Sequence, residues 1–319
     1  MIDENDENIE PEHKKGIKNY FDDQIISTQI SPIAAAFIGL VGGFFLYQVV
    51  GGLITLIIFG LDVKNAPVNL MRLMTMAGQI LFILLPALLF SKMFYNNIPA
   101  IFRIRVPHWK EILLFVAGII ILTPLLQTYL YLQTHFINWL AENSSFIASV
   151  KKTVDSLNDM MEQAYGNLIS ANNLFEQFFV VIIVAVVPAI CEESMFRGFI
   201  QRSFEFKLKP FYAALITAIF FGIYHFNPYG IIPLILLGLY FGFAAYISNS
   251  IVIPMILHFL NNFAAVILYF TIGDEDLIKS APVADTNILS SIMTLLGLSV
   301  LFGAVVVLIK KYYSKIETS

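Results

Sequence analysis

Eight stretches of this chain, at about 33–60, 74–94, 112–133, 174–206, 210–227, 230–248, 251–271 and 287–309, are apolar runs on the scale of a bilayer crossing. Roughly 20 apolar residues are needed to cross as a helix. The chain is 58% hydrophobic and only 13% charged, with a mean hydropathy of +0.76, so these runs dominate it. The expected fold is all-α: a polytopic transmembrane helix bundle of about eight spans. Lys and Arg residues between the spans set its orientation, because loops rich in them stay inside. One set of segments carries Lys14, Lys15, Lys18, Lys92, Arg103, Arg105, Lys110, Arg197, Arg202, Lys207, Lys209, Lys310, Lys311 and Lys315. The other carries Lys64, Arg72, Lys151, Lys152 and Lys279. Both termini are therefore expected in the cytoplasm.

The net charge of −4 and the lack of a basic stripe exclude nucleic acid as a partner, and membrane lipid takes its place. The lone cysteine, Cys191, excludes an intrachain disulfide. Residues 1–30 are polar and mostly acidic with no apolar core, which predicts a mobile cytoplasmic tail rather than a signal peptide or a span. Residues 31–173 then hold three spans and an amphipathic helix near 146–168. In that helix Ile147, Val150, Val154, Leu157, Met161, Ala164 and Leu168 recur at helical spacing. It is expected on the outer membrane surface, as a packing helix or a substrate gate. Residues 174–271 form a four-helix core, and 272–319 a last span with a basic tail.

Within the core, "CEESMFRG" follows directly on "EQFFVVIIVAVVPAI". Ionisable groups cost a few kcal/mol each in hydrocarbon, so they face a partner or a wet cavity. If the helix continues to a turn at "KLKP", Pro210 opens the next one as a favoured first-turn residue. Glu192 then lies 16 residues before Leu208, and His225 lies 17 after it. At about 1.5 Å per residue both stand roughly 24 to 26 Å from the hairpin tip. An antiparallel hairpin brings the carboxylate and the imidazole to one level. Lys207 and Lys209 at the tip reach the headgroup zone, leaving the pair inside the slab.

Glu193 and Arg197 are four apart with the acid first, the favourable order for a helical pair. Their role is read as orienting the helix, with Glu193 committed to Arg197. Glu192, about 100° round the helix, is free to face His225. In "MILHFLNNF", His258 and Asn262 share a face, 9 and 13 residues after the turn at Asn249, or roughly 14 to 20 Å along their helix. A carboxylate beside an imidazole can hold and deprotonate a water. A second imidazole with a primary amide supplies donors to an oxyanion. Together these groups suit hydrolysis of an amide bond by water. Three other readings of the same residues remain open. Glu192, His225 and His258 are a possible zinc ligand set, with Asn262 left to the substrate. Against metal, neither histidine has an evident spare carboxylate to fix its tautomer. The polar residues are also consistent with a charge cluster that only ties helices together, or with Glu192 as a proton carrier in a transporter. Cys191 reads as a packing residue.

The three motifs, "EESMFRG" at 192–198, "FGIYH" at 221–225 and "HFLNN" at 258–262, resemble those of the CPBP family, the CAAX protease and bacteriocin-processing intramembrane proteases also called the ABI family. Its patterns read E-E-x-x-x-R, F-x-x-x-H and H-x-x-x-N, and the likeness covers about residues 175–270. The resemblance implies that Glu192 and His225 activate water and that His258 and Asn262 stabilise the oxyanion, with Glu193 and Arg197 in support. It further implies an endopeptidase acting on membrane-associated or lipidated peptides, by a glutamate mechanism with no cofactor rather than with zinc. The expected location is a prokaryotic cell membrane, with the site reached from the cytoplasmic side. The chain carries "AAYISNS" at 244–250, where prokaryotic members often have an Ala-Arg and a Thr-Gly pair, so prenylated substrates do not follow from the likeness. A non-catalytic scaffold or immunity factor and a proton-coupled transporter are the alternatives.

Overall fold

The computed structural model describes residues 30–60, 66–272 and 287–318, and its regular elements are all helices. In chain order they are α1 (Pro32–Phe59), α2 (Val68–Phe94), α3 (Ile98–Phe102), α4 (Trp109–Asn143), α5 (Ser145–Ile169), α6 (Leu174–Glu205), α7 (Pro210–Tyr224), α8 (Ile231–Ser248), α9 (Val252–Ile272) and α10 (Ile288–Thr318). The expected acidic tail lies almost wholly outside the described residues.

Among the described residues seven helices are long and apolar enough to cross a membrane, and α7 is a shorter apolar helix. Its apolar run suggested a span reaching residue 227, but the helix ends at Tyr224. Phe226 adopts a positive φ of 48°, and Asn227 Oδ1 accepts the Gly230 N–H at 2.7 Å, so the turn begins early. Fifteen residues rise only about 22 Å, less than a hydrocarbon core of about 30 Å. His225 therefore caps a helix too short to cross such a core by itself.

α6 is the central element. On one side its Met195, Phe196, Phe199, Ile200 and Phe204 join buried residues of α1, α2, α3 and α7 in the larger core cluster. A second cluster joins α4 and α10 to α8 and α9 through Phe115, Leu122, Leu237, Phe241, Leu257 and Ile309. The first two spans and the third thus flank opposite sides of the central helices. α7 and α8 cross closely through small residues, as membrane helices do where backbones must approach. A Cβ on Gly242 would lie 2.7 Å from Gln201 Oε1 and 3.0 Å from Ala214 Cβ.

Two arginines from the loop after α3 act as caps. The last four carbonyls of α8 lack helical partners. Arg103 donates to Ala245 O at 3.0 Å and pairs with Glu205, while Arg105 donates to Ser248 O at 2.7 Å. Arg72 does the same for α5, through Leu168 O at 2.8 Å and Ser170 O. Favourable charge at a helix C-terminus adds to each of these bonds. α5 is also tied at its middle, where Tyr229 donates to Asp155 at 2.5 Å. Burial alone would raise the Asp155 carboxyl, but hydrogen bonds from Lys151 and Tyr229 outweigh it and hold the group below its usual range. Burial raises the Tyr229 phenol, and Asp155 raises it further, so the phenol keeps the proton it donates.

Candidate active site

Glu192 faces α2 and the end of α7. Its Oε1 accepts the Gln79 side-chain N–H at 2.9 Å, and its Oε2, buried and without a hydrogen-bond partner, lies 4.0 Å from His225 Nε2. His225 Nδ1 is 2.6 Å from Phe221 O. A carbonyl only accepts, so Nδ1 carries the hydrogen and Nε2 of the neutral ring is a bare acceptor aimed at Glu192. Two acceptors 4.0 Å apart do not bond each other. A separation of 4.0 Å is one that a single water, at ordinary lengths of about 2.8 Å from each, would bridge.

Glu193 faces the other way. Its Oε1 accepts Arg197 Nη1 at 2.9 Å and also His258 Nδ1 at 2.8 Å. The sequence reading reserved Glu193 for Arg197 and found no carboxylate for His258, and this contact corrects it. A carboxylate has about four lone-pair sites, so the pair with Arg197 does not exhaust it. Arg197 is fully buried, with Nη2 on Gly238 O at 3.0 Å and its guanidinium 4.4 Å from the centre of the Phe221 ring. His258 is buried as well, stacked on Phe241 with ring centroids 5.5 Å apart.

Asn262 donates from Nδ2 to Val184 O at 2.9 Å and accepts the Asn261 amide at 3.2 Å. Pro188 explains why that carbonyl is on offer, for it has no N–H to return to a residue four back. α6 also winds more loosely on both sides of the carboxylates, at Ile182–Val186 and Ser194–Ile200. Such π-type turns concentrate at functional sites.

The predicted residues thus gather as two adjoining groups. One pairs Glu192 with His225; the other joins Glu193, Arg197 and His258; Asn262 is bound to the α6 backbone. Phe221 packs against both imidazoles, 4.6 Å from His225 and 5.9 Å from His258 between ring centroids. A zinc site needs ligands converging at about 2.0 to 2.1 Å on one point. Among the described residues no group of three or more His, Cys, Asp or Glu that could hold a metal ion is found.

All six residues lie between Glu192 and Asn262, and the comparisons with known proteins fall on that part of the chain. Residues 174–264 match the Rce1-like family, described as type II CAAX prenyl endopeptidase Rce1-like. Searches of curated proteins and of solved structures gave no match. The Rce1-like segment runs from the start of α6 into α9 and contains both groups of the site. It supports a CAAX-type intramembrane protease at the level of the family, built into an integral membrane protein with several apolar helices.

One contributor lies outside the Rce1-like segment. Gln79 is buried on α2 and donates to the carboxylate proposed as base, yet nothing in the sequence reading singled it out. The available signal was an amide within the apolar run "MTMAGQILFILL". Gln79→Leu keeps the bulk and removes the donor. A hydrogen bond to a charged group is worth roughly 1.5 to 3 kcal/mol, so kcat should fall about tenfold or more with KM little changed. An unchanged kcat would reduce Gln79 to packing.

Proposed function

We propose that this protein is an intramembrane endopeptidase that hydrolyses peptide bonds of membrane-associated or lipidated peptides with a water activated by Glu192. The observation that carries the reading is the 4.0 Å separation of Glu192 Oε2 and His225 Nε2, two acceptors with the tautomer of the imidazole fixed by Phe221 O. A water that donates one hydrogen to each has its lone pair directed at an incoming carbonyl. As it attacks, Glu192 takes one of its protons and returns it to the departing amine, giving a carboxylic acid and an amine. Asn262 uses one of its two amide hydrogens on Val184 O and keeps one for the oxyanion. His258 gives its Nδ1 hydrogen to Glu193, so it adds an Nε2 donor only as the imidazolium.

Purified protein in detergent should cleave a quenched peptide, and failure across a varied peptide set would favour a scaffold or transporter. With Glu192 as the base, turnover should survive prolonged treatment with EDTA or phenanthroline at neutral pH. Inhibition by chelator that added zinc reverses would replace the glutamate mechanism with a metal-dependent one.

A further inference from the structure

The last four carbonyls of a helix have no partner within it. At the end of α7 they belong to Phe221, Gly222, Ile223 and Tyr224. His225 N and Phe226 N turn back by three residues, to Gly222 O at 3.3 Å and Ile223 O at 3.2 Å, which tightens the last turn. Phe221 O is left to the imidazole, whose Nδ1 lies 2.6 Å away. Tyr224 O remains. A helical bond to it would come four residues on, from Pro228, which has no N–H. Its donor comes from another helix instead: Gln48 of α1, through Nε2 at 2.8 Å.

α1 is shaped around this contact. Gln48 lies in the looser π-type turn Phe45–Val50, and such turns concentrate at functional sites. About two turns before it, Leu40 O accepts the Tyr224 phenol. Between them the Phe44 ring meets Tyr224 edge-on, 5.2 Å between centroids, and Phe226 at 5.9 Å. Gly43 permits the approach, for a Cβ there would stand 3.3 Å from the Tyr224 hydroxyl. The neighbours of His225 on both sides are therefore packed on α1. Gln79 of α2 serves the other member of the pair, donating to Glu192, and both glutamines lie outside the Rce1-like segment 174–264.

We propose that Gln48 is a positioning residue for the reaction: by closing the last open carbonyl of α7 it holds His225 in the tautomer and orientation that keep Nε2 bare towards Glu192. This role rests on the protease reading above. It makes the first two spans part of the catalytic unit, each sending one amide to one member of the pair. Tyr224 is buried, so without Gln48 its carbonyl is an acceptor with no donor, and the backbone from Tyr224 to Phe226 has to turn to find one. His225 sits in that stretch. Once Nδ1 leaves Phe221 O both neutral tautomers are open to the ring, and in one of them Nε2 carries the hydrogen. Nε2 then donates to Glu192 and no longer accepts from a water.

The test reads His225 directly, by nuclear magnetic resonance of the full chain in detergent with isotope-labelled histidine. The His225 nitrogens, assigned by their loss in His225→Gln, should show a hydrogen on Nδ1 and a bare Nε2 in the parent. Gln48→Met keeps the length of the side chain and removes its donor. It should show a mixture of tautomers, with kcat down about tenfold or more and KM within about twofold. A merely structural role would lower the unfolding temperature and the active fraction, and leave the tautomer of the folded molecules as it was. A hydrogen on Nε2 in the parent, an unchanged tautomer in Gln48→Met, or kcat within about twofold of the parent would each overturn the assignment. So would a rise in KM alone, which would put Gln48 on the substrate. Where Gln48→Met does not fold, Gln48→Ala is read in the same way, and failure of both to fold reduces Gln48 to packing. A parent that cleaves no peptide defeats the protease reading instead, while the tautomer signal still decides whether Gln48 sets His225.

Discussion

Glu192→Gln is expected to lower turnover of a cleavable peptide by about 10²- to 10⁴-fold, the range that general-base catalysis contributes, while the protein remains folded. Glutamine has nearly the same shape and can still accept the Gln79 N–H through its carbonyl oxygen. The amide nitrogen at the other position donates, so it would turn a hydrogen towards His225 Nε2 where the carboxylate offered a lone pair. A water between them then loses one of its two acceptors and the group that takes its proton. Glu192 lies outside the buried ion cluster, so unfolding in detergent should shift little. Turnover within a few-fold of the parent, with a normal unfolding transition, would remove Glu192 as the base.

What the sequence disclosed follows from geometry local to one chain segment. Helical spacing paired Glu193 with Arg197, and Pro210 with the lysines around it marked the hairpin tip. Equal chain lengths from that tip put Glu192 and His225 at one level, where a 4.0 Å separation now stands. What stayed hidden depends on how separate helices rotate against one another. No spacing within α9 says whether His258 turns to Glu192 or to Glu193, and it is Glu193 that it meets. Gln79 and Arg72 were likewise illegible, one lying within an apolar run and the other counted only among the charges of the outer segments. The early end of α7 was hidden for a different reason. The apolar run lasts to Phe226, and the backbone conformation at Phe226 shows that the helix stops before it.

Arg197→Ala should damage folding and activity together. Breaking a buried ion pair by deleting one partner typically costs about 3 to 5 kcal/mol, because the other charge is left in low dielectric. Here the orphan would be Glu193, and His258, whose Nδ1 hydrogen it holds, would be disturbed with it. The cavity also opens beside Phe221, the ring that packs on both imidazoles, and leaves Gly238 O without its donor. Arg197→Lys is not a rescue. A single ammonium cannot span Glu193 and Gly238 O as a planar guanidinium does. The informative companion is the double variant Arg197→Met with Glu193→Gln, which removes both charges and should unfold less readily than Arg197→Ala alone. If Arg197 serves only to hold Glu193, the double variant regains stability, and the turnover it recovers measures how far His258 depends on a charged neighbour. Arg197→Ala with full expression, an unchanged unfolding temperature and a selective loss of turnover would instead place the guanidinium in the chemistry itself, in contact with substrate rather than behind the site.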